Sequence, residues 1–218
     1  MTDPQRTLIA VLLDRSGSME SIKSDTEGGF AAFINQQLAQ DSPDHQAWVT
    51  LAQFDTDYEV VYADLPIAQV PTLELQPRGM TALYDAVGRI ITDVGAELAG
   101  QPEELRPGTV IVVVLTDGLE NSSVEWTNDA VLKAIKRQET EFSWDFVFLG
   151  ANMDAVAVGQ SLGFGADKSI TYEASPEGVD AAFVAAGNYV SRRRAAGVDG
   201  DVAGFSDEDR RAARAGKD

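Results

Sequence analysis

Thr7-Leu8-Ile9-Ala10-Val11-Leu12-Leu13-Asp14-Arg15-Ser16-Gly17-Ser18 decides the fold. Leu8 to Leu13 is apolar at every position and stops at a carboxylate. A strand with one wet face alternates polar and apolar residues. An unbroken run therefore marks a strand buried on both faces, as at the centre of a parallel sheet. Val110-Ile111-Val112-Val113-Val114-Leu115 repeats the pattern and stops at Thr116-Asp117-Gly118, and Phe146-Val147-Phe148-Leu149 repeats it and stops at Gly150.

Helical spacing fills the intervals. Phe30, Phe33, Ile34 and Leu38 recur at the 3.6-residue period, as do Leu83, Val87, Ile90, Ile91, Val94 and Leu98, and more briefly Ala130, Val131, Ala134 and Ile135. Ser175-Pro176-Glu177 supplies an N-cap, a proline at the first helical position and an acid in the first turn, ahead of the stripe Val179, Ala182, Phe183, Ala186, Tyr189, Val190. A weaker strand is expected around Lys168–Tyr172. One interval breaks the alternation: residues 48–54 and 58–62 are both strand-like and only Asp55-Thr56-Asp57 separates them, which permits nothing but an antiparallel hairpin. The expected fold is α/β: a doubly wound, Rossmann-like, mostly parallel six-stranded sheet with one antiparallel edge strand. The domain is expected to span residues 1–190. Residues 191–218 lack an apolar stripe and read as a charged flexible tail, with a capped helix start at Ser206-Asp207-Glu208-Asp209.

Composition narrows the function. The 218 residues are 44% hydrophobic and 24% charged, with no cysteine, so disulfides, thiolate metal sites and cysteine nucleophiles are excluded. No apolar run nears the ~20 residues of a membrane helix, and no signal-peptide core follows the start, so a cytoplasmic location is expected. Residues 1–190 hold 10 Lys/Arg against 29 Asp/Glu, a net of −19, and residues 191–218 hold 7 against 6. Such an acidic body repels nucleic acid and anionic membranes. Arg192-Arg193-Arg194, the one basic patch, reads as a solvated helix end.

Ligands of doubly wound sheets bind at the carboxyl ends of the strands. Those ends here carry Asp14, Ser16 and Ser18 after the first run and Asp117 after the second. The loop Pro77-Arg78-Gly79-Met80-Thr81 leads into the second helix, and Gly150-Ala151-Asn152 follows the third run. Asp14, Ser16 and Ser18 alternate at i, i+2 and i+4, so an extended loop turns all three to one side. Two carboxylates and three hydroxyls, with no imidazole or sulfur, form a hard-cation donor set for Mg2+, with Mn2+ or Ca2+ as alternatives. With so few charges, a cation here keeps waters and accepts an outside carboxylate. Thr81 also suits the N-cap of the second helix. Asp85, Glu120 and Asp154 lie near the rim in sequence.

Asp14-x-Ser16-x-Ser18, then Thr81, then Asp117-Gly118 resemble, in order, the three loops of the metal-ion-dependent adhesion site (MIDAS) of von Willebrand factor A domains, and the strand–helix order matches over residues 5–190. That resemblance implies direct ligation by Ser16 and Ser18. It implies that Thr81 joins when a partner is engaged and that Asp14 and Asp117 act largely through waters. Integrin-type members bind partners through an Asp or Glu that completes the metal's coordination. The missing cysteines and secretion signal point to an intracellular bacterial or phage type. The expected function is a non-enzymatic, Mg2+-dependent module that binds an acidic side chain of a protein partner.

The alternative is a Mg2+-dependent phosphotransferase or hydrolase with Asp14 as nucleophile. Such enzymes usually place a second acid where this chain has Ser16, and only Arg15 or Arg78 offers a phosphate clamp. His45, the single histidine, lies in a polar turn and reads as an exposed loop residue, which leaves no Ser-His-Asp triad. Gly163-Phe164-Gly165 lacks the third glycine of a dinucleotide fingerprint. Trp126 and Trp144 read as packing residues.

Overall fold

The structure is a computed structural model describing residues 1–198 and 200–214. Its six strands are β1 (Asp3–Asp14), β2 (Gln46–Phe54), β3 (Tyr58–Pro66), β4 (Pro107–Thr116), β5 (Asp145–Ala151) and β6 (Ser169–Tyr172). They form one sheet in the order β3-β2-β1-β4-β5-β6. Every neighbouring pair is parallel except β2–β3, the hairpin imposed by the short turn at residues 55–57. The helices are α1 (Lys23–Leu38), α2 (Leu83–Gly100), α3 (Asn128–Phe142), α4 (Ala155–Leu162), α5 (Pro176–Ala196) and α6 (Asp207–Ala213).

The unbroken apolar runs have the cause inferred for them. In β1, Ile9, Val11 and Leu13 enter a core shared with α1 and α5, while Leu8, Ala10 and Leu12 enter a second core under α2, α3 and α4. Each fully enclosed Leu or Ile contributes about 2 kcal/mol of burial free energy. β1 and β4 are the two central strands, and the winding direction reverses between them, so their carboxyl ends open the crevice where such sheets bind ligands. Ser175 caps α5 by accepting from the Gly178 amide. Trp144 is buried, and Trp126 lies against Gly88, where an added Cβ would come within 2.1 Å of the indole ring. His45 is exposed as expected.

The carboxyl-terminal segment departs from the expected tail. Helix α5 continues through the arginine cluster to Ala196, and α6 starts in a capping box between Ser206 and Asp209. Phe205 is buried against Tyr189, with ring centroids 6.0 Å apart, and Arg210 donates to the carbonyl oxygens of Ser169 and Ala166. One aromatic and one arginine anchor a stretch that has no periodic stripe, and single anchors leave no periodicity to read. Residues 215–218 of the expected tail lie outside the described residues. The arginine cluster is not a solvated helix end either. Arg194 is buried and donates to the carbonyls of Gln37 and His45, satisfying the end of α1, and Arg193 pairs with the buried Asp145. Arg192 alone of the three is exposed.

Candidate metal centre

Asp14 ends β1 and is wholly enclosed. One carboxylate oxygen accepts from the Ser16 amide at 2.6 Å and the other from the Thr116 hydroxyl at 2.5 Å. The first bond curls the chain so that Ser16 and Ser18 face the same way, with their hydroxyls 3.1 Å apart. The Ser18 hydroxyl donates to Asp117 Oδ1 at 2.6 Å, which closes the gap between the β1 and β4 loops. Ser16 is buried at the floor and Ser18 is exposed at the mouth.

Thr81 enters from the third loop. The N-cap of α2 is Ala82, without a side-chain cap, so Thr81 does not serve the helix as expected. Its backbone is held by Asn121, whose side-chain oxygen accepts from the Thr81 amide at 2.9 Å and whose own amide donates to the Thr81 carbonyl at 3.0 Å. Its hydroxyl lies beside Gly118, where a Cβ would stand 2.8 Å from Thr81 Oγ1, and it makes no hydrogen bond among the described residues. Asp14, Ser16, Ser18, Thr81 and Asp117 are thus gathered at one rim. Gly150-Ala151-Asn152 is not part of the cluster: Asn152 accepts from the Ala174 amide instead.

The electrostatics fit a cation. Burial raises Asp14 to about 6, against the opposing effect of its hydrogen bonds to Thr116 and Ser16, and burial also raises Asp117. Neither acid has an ion-pair partner among the described residues. Arg15, the nearest cation in sequence, turns away: its Nε donates to Asp55 Oδ2 at 2.8 Å and its Nη1 to Glu59 at 2.6 Å. One enclosed and one half-buried acid without a countercharge, beside three hydroxyls, are a donor set that a hard divalent cation satisfies. No group of three or more His, Cys, Asp or Glu side chains gathers as a metal cage among the described residues, so hydroxyls must supply the remaining donors.

Several supporting residues escape sequence reasoning. Asp55, almost fully buried in the hairpin turn, accepts from Arg15 and from Arg78 Nε at 2.9 Å, and its carbonyl accepts from the Ala82 amide at 2.9 Å. Arg78 in turn donates its amide to the Arg15 carbonyl at 2.8 Å. These contacts tie the Ser16 loop, the hairpin and the Thr81 loop together. Asp85 and Glu120 stitch the 119–126 loop rather than join the acids. Asp85 accepts from the amides of Val124, Glu125 and Trp126, and Glu120 accepts from those of Tyr84, Ser122 and Ser123. Asp154 caps α4.

No family model and no curated protein matches the chain. Solved structures do. Proximal thread matrix protein 1 from the mussel byssus, in a form described as having a zinc-occupied MIDAS motif, aligns with a TM-score of 0.58 at 15% identity over 84% of this chain and 47% of its own. A von Willebrand factor type A protein from Catenulispora acidiphila aligns with a TM-score of 0.56 at 16% identity over 84% of this chain and 42% of its own. The vWF domain of the type V pili tip protein Mfa5 from Porphyromonas gingivalis aligns with 0.60 at 10% identity, over 85% and 95%. The chain spans less than half the length of the byssus protein. At these identities the likeness is one of fold, and the fold is that of von Willebrand factor A domains.

Proposed function

We propose that this von Willebrand factor A fold serves as a divalent-cation-dependent protein-interaction module. Asp14, Ser16, Ser18, Thr81 and Asp117 would hold the cation, Mg2+ in the first instance, and an Asp or Glu of a protein partner would complete its coordination. The observation that carries the reading is the enclosed Asp14 and the half-buried Asp117, neither with a countercharge, set among hydroxyls while Arg15 is engaged elsewhere. A bound cation supplies positive charge and an open coordination position. The residues supply orientation: Asp14 sets the loop through the Ser16 amide, Ser18 is aligned by Asp117, and Thr81 stands with a free hydroxyl.

The net charge of −18 bears on the partner. An acidic surface would be repelled at long range, so the recognised acid belongs to a neutral or basic surface. Nucleophilic use of Asp14 is disfavoured because both its oxygens are engaged and it is fully enclosed. No helix is long and apolar enough to cross a membrane among the described residues.

The test is capture of partners from a lysate with Mg2+, with Mn2+ and with EDTA, using the wild type and the Ser16→Ala and Asp117→Ala variants. Metal-dependent capture that both variants lose, with unchanged circular dichroism, is expected. Capture that survives chelation and both substitutions would refute the proposal.

A further inference from the structure

Tyr172, the last residue of β6, is 1% exposed, and its hydroxyl has no hydrogen-bond partner among the described residues. Phenylalanine would fill the same space without burying an unsatisfied polar group, so the hydroxyl calls for a partner the protein itself does not supply. Strand register shows where that partner lies. Thr116 of β4 is opposite Gly150 of β5, Gly150 is opposite Thr171 of β6, and Ala151 is opposite Tyr172. Asp117 follows Thr116 in the bend just beyond the end of β4, at the same end of the sheet as Tyr172.

Tyr172 shares a face with its neighbours at this end of the sheet. Leu115, Ala151 and Tyr172 all belong to the core under α1 and α5. Ala151, the β5 residue paired with Tyr172, carries only a methyl group on that face. The charged groups that act on the phenol are Asp117 and Asp14, the two acids of the candidate site.

We infer that Tyr172 is a positioning residue of the metal centre, its hydroxyl donating a hydrogen bond to the water shell shared by Asp117 and the cation. The inference rests on the proposed cation site and adds to it a donor from a strand that carries none of the motif. Outer partners of this kind orient the ligands and raise affinity without touching the metal.

The experiment compares the full chain with Tyr172→Phe, which removes one oxygen and no packing volume. Calorimetric titration with Mg2+ and Mn2+ gives affinity, and thermal unfolding in EDTA gives the stability of the metal-free form. Tyr172→Phe is expected to bind both ions on the order of tenfold more weakly while unfolding in EDTA no earlier than wild type. Tyr62→Phe, which removes another unpartnered buried hydroxyl, from β3, is expected to keep wild-type affinity. Unchanged affinity in Tyr172→Phe would overturn the inference alone, as would an affinity loss matched by Tyr62→Phe or by early unfolding in EDTA. A wild type that takes up neither ion would overturn the proposed function, and this inference with it.

Discussion

Asp14 is enclosed by β1, β4 and the Ser16 loop with no cation to offset it, and that has a consequence for pH. Burial raises its folded-state value from 3.8 to about 6, so the folded protein holds a proton that the unfolded chain releases. Below pH 3.8 both states are protonated and the carboxyl costs nothing. As pH rises from there to about 6 the metal-free fold loses stability, by about 3 kcal/mol once the acid is ionised. Asp14→Asn is expected to remove that slope, and saturating Mg2+ to offset it in the wild type. Urea unfolding across this pH range, with EDTA and with Mg2+, measures both. A wild-type slope identical to that of Asp14→Asn would show that Asp14 does not carry it. At this scale Ser16, Ser18 and Asp117 were legible because they sit next to strand ends. The Thr116 hydroxyl, which holds Asp14, carries no local signal within Thr116-Asp117-Gly118, because its role depends on the 2.5 Å contact with a strand 102 residues away.

The strands and helices were legible because each carries its own signal: apolar runs for β1, β4 and β5, stripes for α2 and α5, and a three-residue turn for the hairpin. The ties between elements carry none. Asp55 reads as a turn residue, yet it joins Arg15, Arg78 and the Ala82 amide across up to 40 positions of sequence. Likewise Thr81 has the residue type of a helix cap, yet Asn121, 40 positions away, holds its backbone. Asp55→Ala is therefore expected to act on two levels. Leaving Arg15 buried with one of its two carboxylates costs on the order of 3 kcal/mol in unfolding free energy. Freeing the Thr81 loop weakens Mg2+ binding beyond what the stability loss explains, and Asp55→Asn retains part of both. Chemical denaturation and metal titration of the two variants separate these effects. Metal affinity equal to wild type in Asp55→Ala would confine Asp55 to the hairpin.

At the scale of the whole molecule, the described part of the carboxyl-terminal segment packs against the sheet and α5. Helix α6 lies over the short edge strand β6. Phe205 packs on Tyr189, and the Glu173 amide donates to the Ala213 carbonyl at 2.9 Å. Truncation after Gly197 removes this cover and is expected to lower the melting temperature by roughly 5–10 °C. Scanning calorimetry tests this, and an unchanged melting temperature would restore the picture of an independent tail. The sheet order has a further consequence for what an ion can do here. β1 and β4 are hydrogen-bonded along both edges and closed by hydrocarbon on both faces, so the floor beneath the five donors is complete before any ion arrives. Small metal-nucleated domains collapse when stripped because the ion is their core. With the proposed cation in place, a chelator would reach only three loops and would remove competence rather than architecture. Such an arrangement could be switched on and off many times without the chain ever having to refold.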